Sequence, residues 1–127
     1  METQKPKETE IKLSPIGAAY KTERGDVMKI VICDRYSEGL DGIEDLDYIY
    51  VLYWMHKLSE KDRKTLKVHP QGDRNKPLRG VFSLRSPMRP NPIGLTRVKI
   101  MRREGNILFV KGLDALDGSP IIDIKRG

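Results

Sequence analysis

Apolar residues recur along this chain in short runs, each closed by glycine, proline or acidic residues, and no long helical stretch separates them. Ile11 to Lys21 reads as an edge strand, because Pro15 and Gly17 are poor residues for a central one. Arg24-Gly25-Asp26 supplies a turn, and Val27 to Cys33 follows as a β-branched run buried on at least one side. The next segment, 37–47, holds two glycines and five acids and permits about one helical turn. Leu46 to His56 crowds Tyr48, Tyr50 and Tyr53 among β-branched residues, which suits a pleated surface, and it is expected to cross the middle of the sheet.

Ser59 is placed to cap a brief helical turn, Leu66 to His69 reads as a short strand, and 70–77 has the composition of a mobile loop. Ile93 to Arg102 alternates as a strand, Glu104-Gly105-Asn106 makes a hairpin turn, and Ile107 to Leu113 returns. A polar loop from Asp114 to Pro120 precedes the last strand, Ile121 to Ile124. Strands joined by short turns predict a mainly β, antiparallel architecture: a small β-barrel or highly curved sheet in a single domain over 11–127, with 1–10 as a disordered tail.

One stretch does not fit ordinary core or ordinary loop. Arg79 to Gly94 packs three arginines, three prolines and two glycines into sixteen residues. Proline fixes its own φ and pushes the preceding residue towards extended geometry, so Ser86-Pro87, Arg89-Pro90 and Asn91-Pro92 should hold a nearly invariant backbone path. Arg85 and Arg89 are expected to project from it as guanidinium forks for a carboxylate, a phosphate or the face of a base.

At 127 residues with 33% charged and 38% hydrophobic positions, the chain suits one soluble globular domain. The polar start has no basic stub with an apolar stretch, and Ile49 to Met55 is far short of a membrane span. Cys33 stands alone, which excludes an intrachain disulfide; it is expected as a buried, inert thiol in a cytoplasmic protein. His56 and His69 have no acid or cysteine at metal-ligand spacing, so no metal site is expected. GxGxxG, Walker and G-x-S-x-G patterns are absent, which argues against a Rossmann cofactor domain and against hydrolase chemistry. The net charge of +6 is uneven: residues 61–103 carry thirteen Lys/Arg against Asp62 and Asp73, a net +11, leaving −5 elsewhere. Such a region attracts polyanions and makes RNA or DNA a candidate partner.

At RGVFSLRSPMRPNPIGLTRV (79–98) and GLDALDGSPIIDIK (112–125), the sequence closely resembles the TsaA/YaeB-like family, and GLDGIEDLDYIYVLYWMHK (39–57) is similar to a third family stretch. The resemblance covers nearly everything from Lys12 to Lys125. It implies a small β-barrel that binds S-adenosylmethionine outside the Rossmann scheme, usually as a homodimer, and methylates N6 of the modified adenosine next to a tRNA anticodon. By the same resemblance, His56 with Lys57, Arg85 and Leu95 contact the cofactor, and Asp114, Ala115, Leu116, Asp117 and Gly118 form its second cofactor loop. Three features depart from the family pattern: Lys57 stands where Gln is usual, no PRQ segment follows the first strand, and the sequence ends at Lys125-Arg126-Gly127 where bacterial members continue.

The residues fit that ligand on their own chemistry. S-adenosylmethionine joins a sulfonium, an amino-acid carboxylate and an adenine, and so asks for an acid or carbonyl, a cation and an apolar slot. Asp117 or Asp114, Arg85, and Leu95 with Leu116 offer these in turn. Arg89 and Asn91, held by their flanking prolines, are the candidates for touching a target nucleoside, with phosphate contacts from the basic region positioning the RNA. The competing expectation is a basic β-barrel that binds nucleic acid or senses the cofactor without catalysis.

Overall fold

A computed structural model describes residues 3–127. Its frame is six antiparallel strands: β1 (Gly17–Lys21), β2 (Val27–Ile32), β3 (Tyr48–Trp54), β6 (Ile93–Glu104), β7 (Ile107–Lys111) and β8 (Ser119–Arg126). They form a closed barrel in the order β1-β2-β7-β6-β3-β8, while β4 (Lys67–Val68) and β5 (Arg79–Gly80) make a separate two-stranded ribbon. The antiparallel barrel read from the strand pattern is therefore the observed fold.

Each barrel strand turns alternate residues inward, as the pleat requires. Ala19, Ile30, Ile49, Val51, Val98, Leu108, Val110 and Ile121 fill the interior, and all are almost completely buried. The tyrosine-rich run does cross the wall between two neighbours, pairing Tyr48 to Trp54 with β6 and Ile49 to Tyr53 with β8. A bulge between Leu52 and Tyr53 lets β8 bend over the barrel end.

Several sequence expectations need correction. The first strand is Gly17–Lys21 rather than Ile11–Lys21, and it is no edge: β1 pairs with β2 on one side and β8 on the other. Gly17 is small because the backbone of β2 passes close beside it, since a Cβ there would lie 2.2 Å from the Val31 carbonyl oxygen. Cys33 is exposed, because β2 ends one residue earlier with the inward-facing Ile32. The 37–47 acidic segment is two 3-10 turns, Asp34–Leu40 and Ile43–Asp45, tucked under the barrel by Leu40 and Ile43. Met1 and Glu2 of the expected tail lie outside the described residues; the rest of it, to Glu10, is exposed and without regular structure.

Arg103 pins the lower turns to β6. It donates to the Leu40 carbonyl at 3.1 Å and to the Glu44 carboxylate at 3.1 Å. Hydrogen bonding from the Glu44 backbone, then Arg103, holds the Glu44 carboxyl below its usual pKa. A carboxylate with a depressed folded-state pKa contributes stability above its unfolded-state value and loses it as pH falls through the folded-state value. Glu44→Gln is thus expected to lower the neutral plateau of a urea-midpoint-against-pH profile slightly while leaving its acid end unchanged, which flattens the acid limb. Gly17→Ala is expected to cost about 1–3 kcal/mol in urea unfolding, because backbone has to move to admit the methyl.

Candidate functional site

Register decides which loops meet. Tyr53 pairs with Gly94 and Ile121, and Val27 pairs with Lys111, so the end of β3, the start of β6, the start of β8 and the end of β7 share one rim. The Arg79–Gly94 stretch and the Asp114–Ser119 loop both open onto it. Between them lies a cleft of about 990 Å³, lined by Leu52, Tyr53, Lys57, Arg85, Arg89, Leu95, Arg97, Asp114, Ala115, Leu116 and Ser119 among others.

The Pro/Arg stretch is held by hydrogen bonds to its backbone as well as by its prolines. Arg89 Nη2 donates to the Val81 carbonyl at 2.6 Å and the Leu84 carbonyl at 3.1 Å, closing the 3-10 turn Val81–Ser83 onto the loop. Arg63, from the short helix α1 (Glu60–Lys64), donates through Nε to the Pro90 carbonyl at 2.9 Å, with its guanidinium 5.4 Å from the Trp54 ring centroid. Ser59 caps α1 in a reciprocal box with Asp62, as its sequence position suggested. The Met55 amide donates to the Pro92 carbonyl at 2.8 Å and joins the loop to β3.

The second loop hangs from the barrel interior. The Tyr53 hydroxyl donates to the Asp114 carbonyl and lies 3.2 Å from the Thr96 hydroxyl. Its ring lies across Gly94, where a Cβ would stand 2.3 Å from the ring. Ser119 is buried and donates through Oγ to the Leu116 carbonyl at 2.6 Å. Gly118, at φ 81°, gives its N–H to the Ala19 carbonyl at 2.7 Å, and Asp117 accepts the Lys21 N–H at 2.8 Å.

The structure thus brings together Lys57, Arg85, Leu95, Asp114, Ala115 and Leu116 of the expected cofactor contacts. His56, Asp117 and Gly118 lie outside the cleft lining; the last two shape the turn that delivers Asp114 to Leu116. Arg85 is exposed, and its guanidinium makes no hydrogen bond or ion pair among the described residues. Arg89 borders the cleft but, contrary to the expectation of a freely projecting fork, has Nη2 committed to loop carbonyls. Asn91 is exposed outside the lining, and its carbonyl accepts the Ile93 N–H at 2.7 Å. Sequence reasoning missed Tyr53, Thr96 and Ser119, which face the barrel end only once register is known. The Gly94 spacing was the available signal, since glycine inside a strand marks the close approach of another group.

Comparison with known proteins follows the same residues. The tRNA-methyltransferase O N-terminal domain family matches residues 9–126. A probable S-adenosyl-L-methionine-binding protein of Methanocaldococcus jannaschii is 53% identical over 114 residues, covering 89% of each chain. A tRNA (adenine(37)-N6)-methyltransferase of Mus musculus is 42% identical over 94 residues, covering 74% of this chain and 21% of that enzyme. In structure, TrmO from Pseudomonas aeruginosa superposes with a TM-score of 0.71 at 24% identity, covering 94% of this chain and 56% of that one, which establishes the shared barrel. The chain therefore spans little more than half of the solved relative and a fifth of the mouse enzyme. With its match extending over nearly the whole length, including the two loops that build the cleft, this chain belongs to the tRNA-methyltransferase O N-terminal domain family.

Proposed function

We propose that the chain binds S-adenosylmethionine in the rim cleft and serves as a tRNA methyltransferase acting on N6 of the modified adenosine next to the anticodon, in the cytoplasm. The observation that carries this reading is the cleft itself, where Arg85, without an ion pair among the described residues, the apolar Leu95 and Leu116, and Asp114 converge at a volume suited to a small cofactor. The name borne by the Methanocaldococcus jannaschii relative supports the cofactor, and that of the mouse relative supports the substrate.

In this reading Arg85 takes the amino-acid carboxylate as a charge-assisted pair. Leu95 and Leu116 form the apolar slot for the adenine, and Asp114 meets the positive charge of the sulfonium. When bound, the cofactor supplies an activated methyl, so the chain needs no strong nucleophile of its own. What the chain contributes is position: Tyr53 holds the Asp114 carbonyl and Arg89 holds the facing loop, which fixes the two cleft walls relative to one another.

The apolar side chains of the ribbon support a homodimer, the assembly implied by the family resemblance. Phe82, in the turn after the ribbon, is 79% exposed, and Leu66 and Leu78, each just before one of its strands, are more than half exposed. The closed barrel offers no free strand edge for pairing, so side-chain contacts would have to join the two copies.

Mass spectrometry of tRNA nucleosides after incubation with labelled S-adenosylmethionine is expected to show one labelled methyladenosine; salt-sensitive tRNA binding with no label would favour a non-catalytic module. In calorimetry, Arg85→Ala is expected to weaken S-adenosylmethionine binding by about 1.5–3 kcal/mol with unchanged thermal stability. Arg89→Ala is expected to lower the thermal midpoint and methyl transfer together, because its loop loses two carbonyl contacts; full turnover at normal stability would contradict that role. Phe82→Ser should convert a dimer to a monomer in sedimentation at micromolar concentration, and a monomeric parent chain would remove the dimer.

A further inference from the structure

The cations of the barrel are not paired evenly around its circumference. On the β2–β7 side and at the hairpin all but Lys29 are matched: Arg24 with Asp26 at 2.8 Å, Lys111 with Asp26 at 3.6 Å, and Arg102 with Glu104 at 3.0 Å. Arg103 is matched in turn by Glu44 at 3.1 Å. On the wall made by β8, β3 and β6, the outward residues Lys125, Arg97 and Lys99 make no ion pair among the described residues.

Register sets these three side by side. Tyr50 lies opposite Arg97 on one flank and Lys125 on the other, and Tyr48 lies opposite Lys99 in the next row. Outward residues directly opposite one another are about 4.5–5.5 Å apart at Cβ, and successive rows along a strand are about 7 Å apart. Asp123, opposite Leu52, is the single acid among the outward positions of these rows. Cations gathered on one face raise its positive potential, and the wall supplies little counter-charge of its own. Arg97 is also held in place, with its guanidinium 3.9 Å from the Tyr48 ring centroid, a stacking that leaves its edge donors free for an anion.

The wall leads into the cleft, because Leu52, Leu95 and Arg97 line both. We propose that the outer face of β8–β3–β6 is the path along which the phosphate backbone of the substrate RNA approaches the cleft, with Lys125, Arg97 and Lys99 as its phosphate ligands. The proposal rests on the reading that RNA is the substrate. It names contacts that position the RNA without reading its sequence. It also divides the basic region of residues 61–103: Arg97 and Lys99 face the RNA, whereas Arg63 and Arg89 hold loop backbone and Arg102 and Arg103 meet carboxylates.

Fluorescence anisotropy with labelled bulk tRNA tests it, comparing three single charge reversals of the same size. Lys99→Glu and Lys125→Glu are expected to weaken binding roughly tenfold at low salt, and each to reduce the slope of log affinity against log salt by about one. Lys29→Glu, on the opposite wall where Lys29 pairs with Phe109 across β2 and β7, is expected to change affinity less than threefold. S-adenosylmethionine affinity should remain the same in all three. Equal losses in all three variants would reduce the effect to net charge and overturn the path. Unchanged RNA binding in Lys99→Glu and Lys125→Glu, or a change in oligomeric state without one in RNA affinity, would overturn it too. Should methyl transfer to tRNA survive those results, only the path falls; a parent chain that binds no tRNA at all removes the path and the RNA substrate together.

Discussion

Closure of the barrel through β1 and β8 is the constraint on which the rest of the molecule depends. With that pairing made, every barrel strand has two neighbours and no backbone ladder is left open. Closure also fixes the direction of each strand, and alternation of direction sends the loop after β5 and the loop after β7 to the same rim. Two segments separated by the nineteen residues 93–111 become the two walls of one cleft for that reason. At the start of β1, Gly17 lets the backbone of β2 come close, where a side chain of any size would press on Val31.

Within this frame the cleft is rigid on both sides by different means. The Pro/Arg stretch has few amide donors of its own, so its carbonyls are met by guanidinium groups from Arg63 and Arg89. The Asp114–Ser119 loop is instead fastened to the barrel by Tyr53 from beneath, by Ser119 within the loop and by its turn residues at the β1 side. Tyr53 can do this only because Gly94 lies opposite it and leaves room for the ring. A wall of hydrogen-bonded loops keeps Arg85 and Leu95 at a fixed separation without burying either, so both remain available to a ligand.

Charge follows a similar division of labour. A local excess of positive residues in sequence says how much field the region can generate, but each cation's role depends on what the fold places beside it. Arg102 and Arg103 follow closely on Arg97 and Lys99 in one strand, yet the first two meet Glu104 and Glu44 while the latter two face solvent. The bulge between Ile100 and Arg102 is where the strand changes phase between these settings.

The strand pattern by itself determined that this is an antiparallel β protein, where most strands run, that Tyr48 to Trp54 is central and that Arg79 to Gly94 is the unusual stretch. Those features are local: alternation, proline geometry and turn residues act over a few positions. Only the tertiary structure decided that β1 closes the barrel, because a strand interrupted by glycine and preceded by proline looks like an edge until its second partner is known. Only it separated Arg85 from Arg89, two identical side chains four residues apart at one cleft, one without a polar partner among the described residues and the other with its Nη2 tied to the Val81 and Leu84 carbonyls. The same holds for Tyr53 and Ser119, which look like ordinary strand and turn residues in sequence and whose hydrogen-bond partners in space belong to the cleft loop. Register is set by pairings between distant segments, and which face or partner a side chain meets is a property of register, which no local pattern contains.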